Sequence, residues 1–205
     1  MLFRSVLSDE PLIAGFDVSG GGAAWNVIRF RRGGDAVSVP PLRLTGQQGR
    51  DRGILIGAAA EILRETGPNR VSAMFVDSAF GSPIVERLNT LGFKNVHEVS
   101  FGAASPDPHQ ENFRAFMWNK MKEWLKTGAL PMEEREDGLA QQLSRPGYHI
   151  NKRNRLVLES KESMAQRGEV SPDDADALAL TFARPVMLVK PDVGKRYPVR
   201  GSVWG

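Results

Sequence analysis

Two aspartates close apolar runs. Asp17 follows Leu12-Ile-Ala-Gly-Phe, and Asp77 follows Val71-Ser-Ala-Met-Phe-Val. A carboxylate at the C-terminal end of a buried strand lies where open α/β sheets place their ligand sites. Taken singly, such a residue more often starts a turn or caps the next element. If the two strands are neighbours, about 4.8 Å apart, their carboxylates can share one cation. A third acidic group is Ser171-Pro-Asp-Asp-Ala-Asp-Ala-Leu-Ala-Leu. Here Ser171 has the character of an N-cap, Pro172 of a first helical residue and Asp174 of the third position of a capping box. Asp173 and Asp176 fall three apart on one helical face, with Ala175, Leu178, Ala179 and Phe182 on the apolar face. A first-turn Asp173 gains from the helix dipole, whereas Asp176 sits too far in for that and is the more suggestive of the two.

Four carboxylates, with no Cys and no His cluster, favour hard cations, Mg²⁺ or Mn²⁺, over zinc. Two such ions, roughly 3.5–4 Å apart, would activate water and stabilise the leaving oxygen in an in-line phosphodiester displacement. His97, His109 and His149 stand alone and read as ordinary surface or core residues. Other chemistries fail on inspection. There is no GxSxG nucleophile elbow, and the only Gly-Lys pair, Gly194-Lys195, is followed by Arg196 rather than Ser or Thr. The Gly20–Gly22 triplet follows a strand as a dinucleotide loop would, but the next segment alternates as a strand. Close backbone approach beside a metal site, or a tight hairpin, fits it better.

The elements that must carry these residues can be read in order. Leu12–Val18 is a buried strand, Trp25–Arg31 a half-exposed second strand, Gly33-Gly34 a turn and 36–40 a third strand. Residues 50–66 have helical spacing and end at Gly67-Pro68. Val71–Asp77 resembles the interior of a parallel sheet. Ser82 then caps and Pro83 opens a helix, and Asn95–Val99 is a fifth strand. In the second half, 111–127 is an amphipathic helix burying Phe113, Phe116, Met117, Met121 and Trp124. Leu139–Leu143 is a short helix, Tyr148–Leu158 a hairpin turning near Arg153-Asn154, and the last helix starts at Ser171-Pro172 and runs to Phe182. Three antiparallel strands, a crossover helix and a β-α-β unit make a mixed α/β sheet.

The chain has 205 residues, 41% apolar and 25% charged, which suits a globular domain with a real core. Its lack of cysteine excludes a disulfide scaffold and a thiolate site. No apolar run approaches a membrane span, and MLFRSVLSDEPL is too short and acidic for a signal peptide, so the expectation is a soluble, intracellular-type protein. The formal charge of +3 is uninformative, because 184–205 alone holds five basic residues against Asp192. Segregated patches say more. Six arginines (29, 31, 32, 43, 50, 52) crowd 29–52, and Arg145, Lys152, Arg153, Arg155, Lys161 and Arg167 crowd 145–167, while acid gathers at 133–137 and 169–176. Acids would hold the metals while flanking cations hold backbone phosphates.

Several pieces together resemble the nuclease domain of the large terminase subunit of tailed phages, a ribonuclease H-like fold. They are Gly15-Phe-Asp-Val-Ser-Gly-Gly-Gly, Phe75-Val-Asp-Ser-Ala-Phe-Gly-Ser-Pro-Ile-Val-Glu-Arg-Leu, Val99-Ser-Phe-Gly, Asn112-Phe-Arg, Leu158-Glu-Ser-Lys-Glu-Ser-Met-Ala-Gln-Arg-Gly and Ser171-Pro-Asp-Asp-Ala-Asp-Ala-Leu. They span about 15–183 in the family's order. The resemblance implies a mixed five-stranded sheet flanked by helices, with an added hairpin in the C-terminal half. It implies a nuclease over 1–184 and a basic Gly/Pro-containing tail over 185–205, the whole being a domain cut from a longer chain.

Asp17, Asp77, Asp173 and Asp176 would be the catalytic metal ligands for two Mg²⁺ or Mn²⁺ ions, cutting concatemeric viral double-stranded DNA during genome packaging. Lys161 would lie near the site and meet a phosphate, and Arg153 and Arg155 would touch DNA. A packaging ATPase domain, a portal and a small terminase subunit would be partners, in the cytoplasm of an infected bacterial host. One departure is that such domains often carry another Asp shortly after the glycines, where this chain has Ala23-Ala-Trp-Asn26. Two other readings share the features: a Holliday-junction resolvase-like nuclease, and a non-catalytic DNA-binding or docking module, against which the four retained acids argue.

Overall fold

The computed structural model describes residues 10–21, 24–131 and 138–187. The tail expected after Pro185 and the acidic stretch at 133–137 therefore fall mostly outside the described residues. Strands β1 (Leu12–Asp17), β2 (Asn26–Arg32), β3 (Leu42–Leu44), β4 (Val71–Asp77) and β5 (Val96–Val99) form one sheet in the order β3-β2-β1-β4-β5. β2 runs antiparallel to β1 and β3, while β4 lies parallel to both β1 and β5. β1 and β4 are covered on both faces, which is why they read as nearly continuous apolar runs.

Each face of the sheet has its own core. Helices α1 (Arg52–Arg64) and α2 (Ser78–Thr90) pack Leu55, Ala59, Ile84 and Leu88 against Phe16, Ile28, Met74 and Val76. On the other face α3 (Phe113–Trp124), α4 (Leu139–Ser144) and α6 (Asp173–Leu180) join Met117, Met121, Leu139 and Leu178 to Ile13, Ala73, Phe75 and Val99. A separate hairpin, β6 (Tyr148–Ile150) and β7 (Leu156–Leu158), turns at Asn154, whose φ of 57° is the left-handed conformation Asn tolerates. The hairpin leads into the short helix α5 (Lys161–Gln166), capped by the Ser160 side chain.

Four local expectations are corrected. The third strand is 42–44 rather than 36–40, because the Asp35 carboxylate accepts the N–H groups of Val37 and Ser38 and folds that segment into a turn. Helix α2 begins at Ser78, with Asp77 as N-cap residue, and Pro83 lies inside it. The Ser82 hydroxyl donates instead to the Ser78 carbonyl, 2.8 Å away, so it caps nothing. β2 is buried from Asn26 to Phe30 rather than half-exposed, because α6 covers its arginine face. On α3 the buried stripe is Arg114, Ala115, Met117, Trp118 and Met121, while Phe113, Phe116 and Trp124 are only partly covered.

Candidate active site

Phe16 pairs with Val76 across the parallel β1–β4 ladder, so Asp17 and Asp77 occupy the next positions on adjacent strands. Both side chains are almost completely buried at that edge of the sheet. The last helix supplies the other acids. It reaches them because residue 15 is glycine: a Cβ there would stand 1.9 Å from the Ala177 carbonyl oxygen. α6 therefore lies directly on the β1 backbone, with its N-terminal turn over Asp17.

That turn is built differently from a capping box. Pro172 is the N-cap residue and contributes no side-chain bond. Ser171 donates its hydroxyl to Asp173 Oδ1 at 2.5 Å, and the Trp25 N–H donates to Asp173 Oδ2 at 2.8 Å. Asp174, expected as a cap, turns the other way and accepts from Arg29 Nε at 2.8 Å, Arg43 Nε at 2.9 Å and Gln142 Nε2 at 3.3 Å. Asp176 is fully buried and accepts from Arg114 through both oxygens, with Trp118 Nε1 donating to Oδ1 at 2.7 Å.

Lys161 stands among these carboxylates. Its Nζ is 2.9 Å from Asp17 Oδ2, 3.3 Å from Asp176 Oδ2 and 3.4 Å from Asp173 Oδ1. The three acids drive its pKa up despite burial, which opposes the charged form. Burial dominates at Asp17 and lifts its carboxyl to about 7; Asp176 and Asp173 add to the rise, and Lys161 opposes it. Asp77 is also raised by burial, against the pull of Lys161 and of the Ala79 and Ser78 N–H groups. At Asp176 burial is outweighed by Arg114 and Lys161 and by the hydrogen bonds from Arg114 and Trp118, so its carboxyl stays below the usual value.

Among the described residues no three acidic, His or Cys side chains are arranged as ligands to a common cation. Asp17, Asp173 and Asp176 converge on the Lys161 ammonium instead. The residues nonetheless fit a hard cation. The donors are all carboxylate oxygens, they already gather around one positive charge, and Asp17 Oδ1 is buried with no hydrogen-bond partner. Asp176 is the poorest candidate donor, since Arg114, Trp118 and Lys161 occupy both its oxygens.

Arg153 and Arg155 are not brought to this cluster. Arg153 is exposed at the hairpin turn, and Arg155 Nη1 lies 3.8 Å from Glu111 Oε2. The three histidines lie away from it too; His97 is half-buried beside Phe75, and His109 and His149 are exposed. Sequence reasoning missed Arg114 and Trp118. Their signal was present, since 114, 117, 118 and 121 follow the i, i+3, i+4, i+7 stripe, and a charge on such a stripe needs a buried partner.

A mixed sheet in this order, with carboxylates at the ends of its first and fourth strands and on the last helix, is a ribonuclease H-like α/β fold. The chain is similar in structure to phage large terminase nuclease domains. It matches the nuclease domain of the large terminase subunit of bacterial virus Sf6 with a TM-score of 0.63 at 16% identity, over 86% of this chain and 89% of that one. A point mutant of that domain with manganese gives 0.61 at 16%, over 87% and 90%. The large terminase nuclease from thermophilic phage G20c with bound cobalt gives 0.53 at 15%, over 86% and 82%. No family model and no curated protein matches the sequence. Among the described residues no helix is long and apolar enough to cross a membrane.

Proposed function

We propose that this chain is a metal-dependent DNA endonuclease that cuts concatemeric viral DNA during genome packaging. The observation that carries the reading is the pairing of Asp17 with Asp77 at adjacent strand ends beneath Asp173, with one Asp17 oxygen left without a partner. Asp17, Asp77 and Asp173 would hold Mg²⁺ or Mn²⁺, with Asp176 beside them as an anchored neighbour. Two such ions, when bound, activate water and stabilise the leaving oxygen of a phosphodiester.

The protein's own groups prepare for this. The Ser171 hydroxyl and the Trp25 N–H fix the Asp173 carboxylate in one orientation. Arg114 and Trp118 hold Asp176, and the Lys161 ammonium offsets the repulsion among the acids while no cation is present. With a cation held by those carboxylates, that ammonium would be available to a backbone phosphate. The similarity to solved terminase nucleases, two of which carry manganese or cobalt, supports the same reading. Double-stranded DNA is the substrate, with a packaging ATPase, portal and small subunit as partners in the cytoplasm of an infected bacterium.

The test is nicking of supercoiled plasmid with Mn²⁺, with and without EDTA. Wild type should cut only with the metal, and Asp77→Ala should not cut. A wild type that leaves plasmid intact, or an Asp77→Ala variant that cuts equally well, would overturn the assignment.

A further inference from the structure

Beyond the paired strand ends, on the α1–α2 face of the sheet, lies a recess of about 170 Å³. Its floor is apolar, made by Val18, Leu55 and Ile84, all members of the core on that face. Its rim is formed by Ser19, Gly20 and Gly21 after β1, by Gly49, Arg50 and Arg52 before and at the start of α1, and by Phe80 in the first turn of α2. Gly20 and Phe80 each stand three residues beyond one of the paired acids, Asp17 and Asp77. The recess therefore opens on the same edge of the sheet as the proposed cutting site.

Three features distinguish it from ordinary surface. Arg50 and Arg52 are exposed, the described residues provide their guanidiniums with no ion pair or hydrogen bond, and the acid between them, Asp51, is engaged in capping the Gly53 N–H at 2.7 Å. Phe80 is 52% exposed although it belongs to a helix whose other large apolar residues Ile84, Val85 and Leu88 are buried. The wall opposite Phe80 is shaped by glycine: a Cβ at Gly20 would stand 2.5 Å from the ring, and Gly21, at a φ of +101°, lies under the Arg50 stem. Asn26 supports that wall by accepting the Ser19 N–H at 3.0 Å, while its amide nitrogen, buried and without a partner, sits over Gly49.

We infer that this recess is a substrate subsite, holding one nucleotide of the DNA strand that flanks the scissile phosphate. Arg50 and Arg52 take its phosphate, and the deoxyribose or base packs on Phe80 and the apolar floor. A recess with an apolar floor and a polar rim carrying two guanidiniums suits a ligand unit that is flat and apolar on one side and anionic on the other. The inference rests on the nuclease reading for its choice of DNA, but it is measured by binding rather than cutting.

Binding of a short fluorescein-labelled duplex with an unpaired extension is followed by anisotropy in EDTA across a KCl series. Arg50→Ala/Arg52→Ala should flatten the salt dependence by about 0.9 for each phosphate that the variant no longer neutralises. Phe80→Ala should weaken binding about fivefold or more at unchanged salt dependence, and Phe80→Tyr should restore it. The charge control is Arg64→Ala/Arg70→Ala, at the opposite end of α1 and ahead of β4, which should keep the wild-type slope. Circular dichroism melts establish that each variant is folded.

The subsite is overturned if the Arg50/Arg52 variant binds with wild-type slope and affinity, or if the control pair flattens the slope equally. Plasmid nicking by the wild type separates this from the parent reading. A wild type that cuts, beside pocket variants that bind as wild type, removes the subsite and leaves the nuclease standing. A wild type that does not cut, beside pocket variants that lose binding, removes the nuclease and leaves the subsite as a DNA-binding groove.

Discussion

Arg114 grips Asp176 with both arms: Nε donates to Oδ1 over 2.8 Å and Nη2 to Oδ2 over 3.1 Å, while Nη1 reaches the Glu159 carbonyl at 2.9 Å. The guanidinium thereby ties the last helix to the segment that carries Lys161. The two aspartates three apart on α6 have divided their roles, one gripped as a strut and the other turned toward the strand ends.

Removing one partner of a buried, hydrogen-bonded ion pair costs about 3–5 kcal/mol, because the other charge stays behind without compensation. Asp176→Ala should therefore lower the free energy of unfolding by that amount in urea titrations followed by circular dichroism. Asp77→Ala, which breaks no ion pair, should unfold at or above the wild-type urea concentration while losing nicking activity. Equal stability losses in the two variants would remove the distinction.

On the nuclease reading, Lys161 and a divalent cation would compete for the same oxygens. In Lys161→Met the ammonium is gone and the acids repel one another uncompensated, so metal-free protein should melt lower than wild type. Added Mn²⁺ should then raise the melting temperature from a lower concentration than wild type requires. Thermal shift against Mn²⁺ concentration reads both effects, and an unchanged or weaker Mn²⁺ response would contradict the geometry.

Asp17 binds its proton more tightly in the fold, with a pKa of about 7 against an ordinary 3.8, chiefly because it is buried. A carboxyl raised in this way contributes most below the unfolded value, and the contribution is lost as pH rises through the folded one. In EDTA, Asp17→Asn should therefore gain on wild type in melting temperature as pH rises from about 4 to about 7, with the gap constant above that. A gap independent of pH would mean that Asp17 titrates normally.

Gly15→Ala adds a methyl group where the Ala177 carbonyl already lies. Overpacking of this kind costs about 1–3 kcal/mol, and more where backbone must give way. The expected outcome is a lowered urea midpoint together with loss of nicking, since α6 must lift from β1 and carry Asp173 away from Asp17. Retained activity at reduced stability would show that the helix can move without disturbing the acids.

The strand ends were legible in the sequence because β1 and β4 are covered on both faces and so are written as apolar runs closed by an acid. Their adjacency was legible only as a condition, since a strand does not state its neighbour. The positions of Arg29 and Arg43 were not legible, because a charged side chain in a sequence points first to solvent or to DNA. In the structure Arg29 is almost fully buried, and its Nε meets Asp174 at 2.8 Å across 145 residues of chain. Such pairings are set by helix docking, which local spacing does not encode. Lys161 was placed near the site by resemblance, but its seat between Asp17, Asp173 and Asp176, brought together from β1 and α6, is set by tertiary packing that local spacing does not encode.

The segment joining the Lys161 ammonium to Asp17 runs through 144 positions. A ribosome has released the first and fourth strands long before it makes the helix that completes the cluster. Until that helix is synthesised and lies down on Gly15, the strand ends hold two acids without Asp173 or Asp176. On the nuclease reading, the acids at the two strand ends therefore gain their α6 partners only once that helix has been made and has docked across β1.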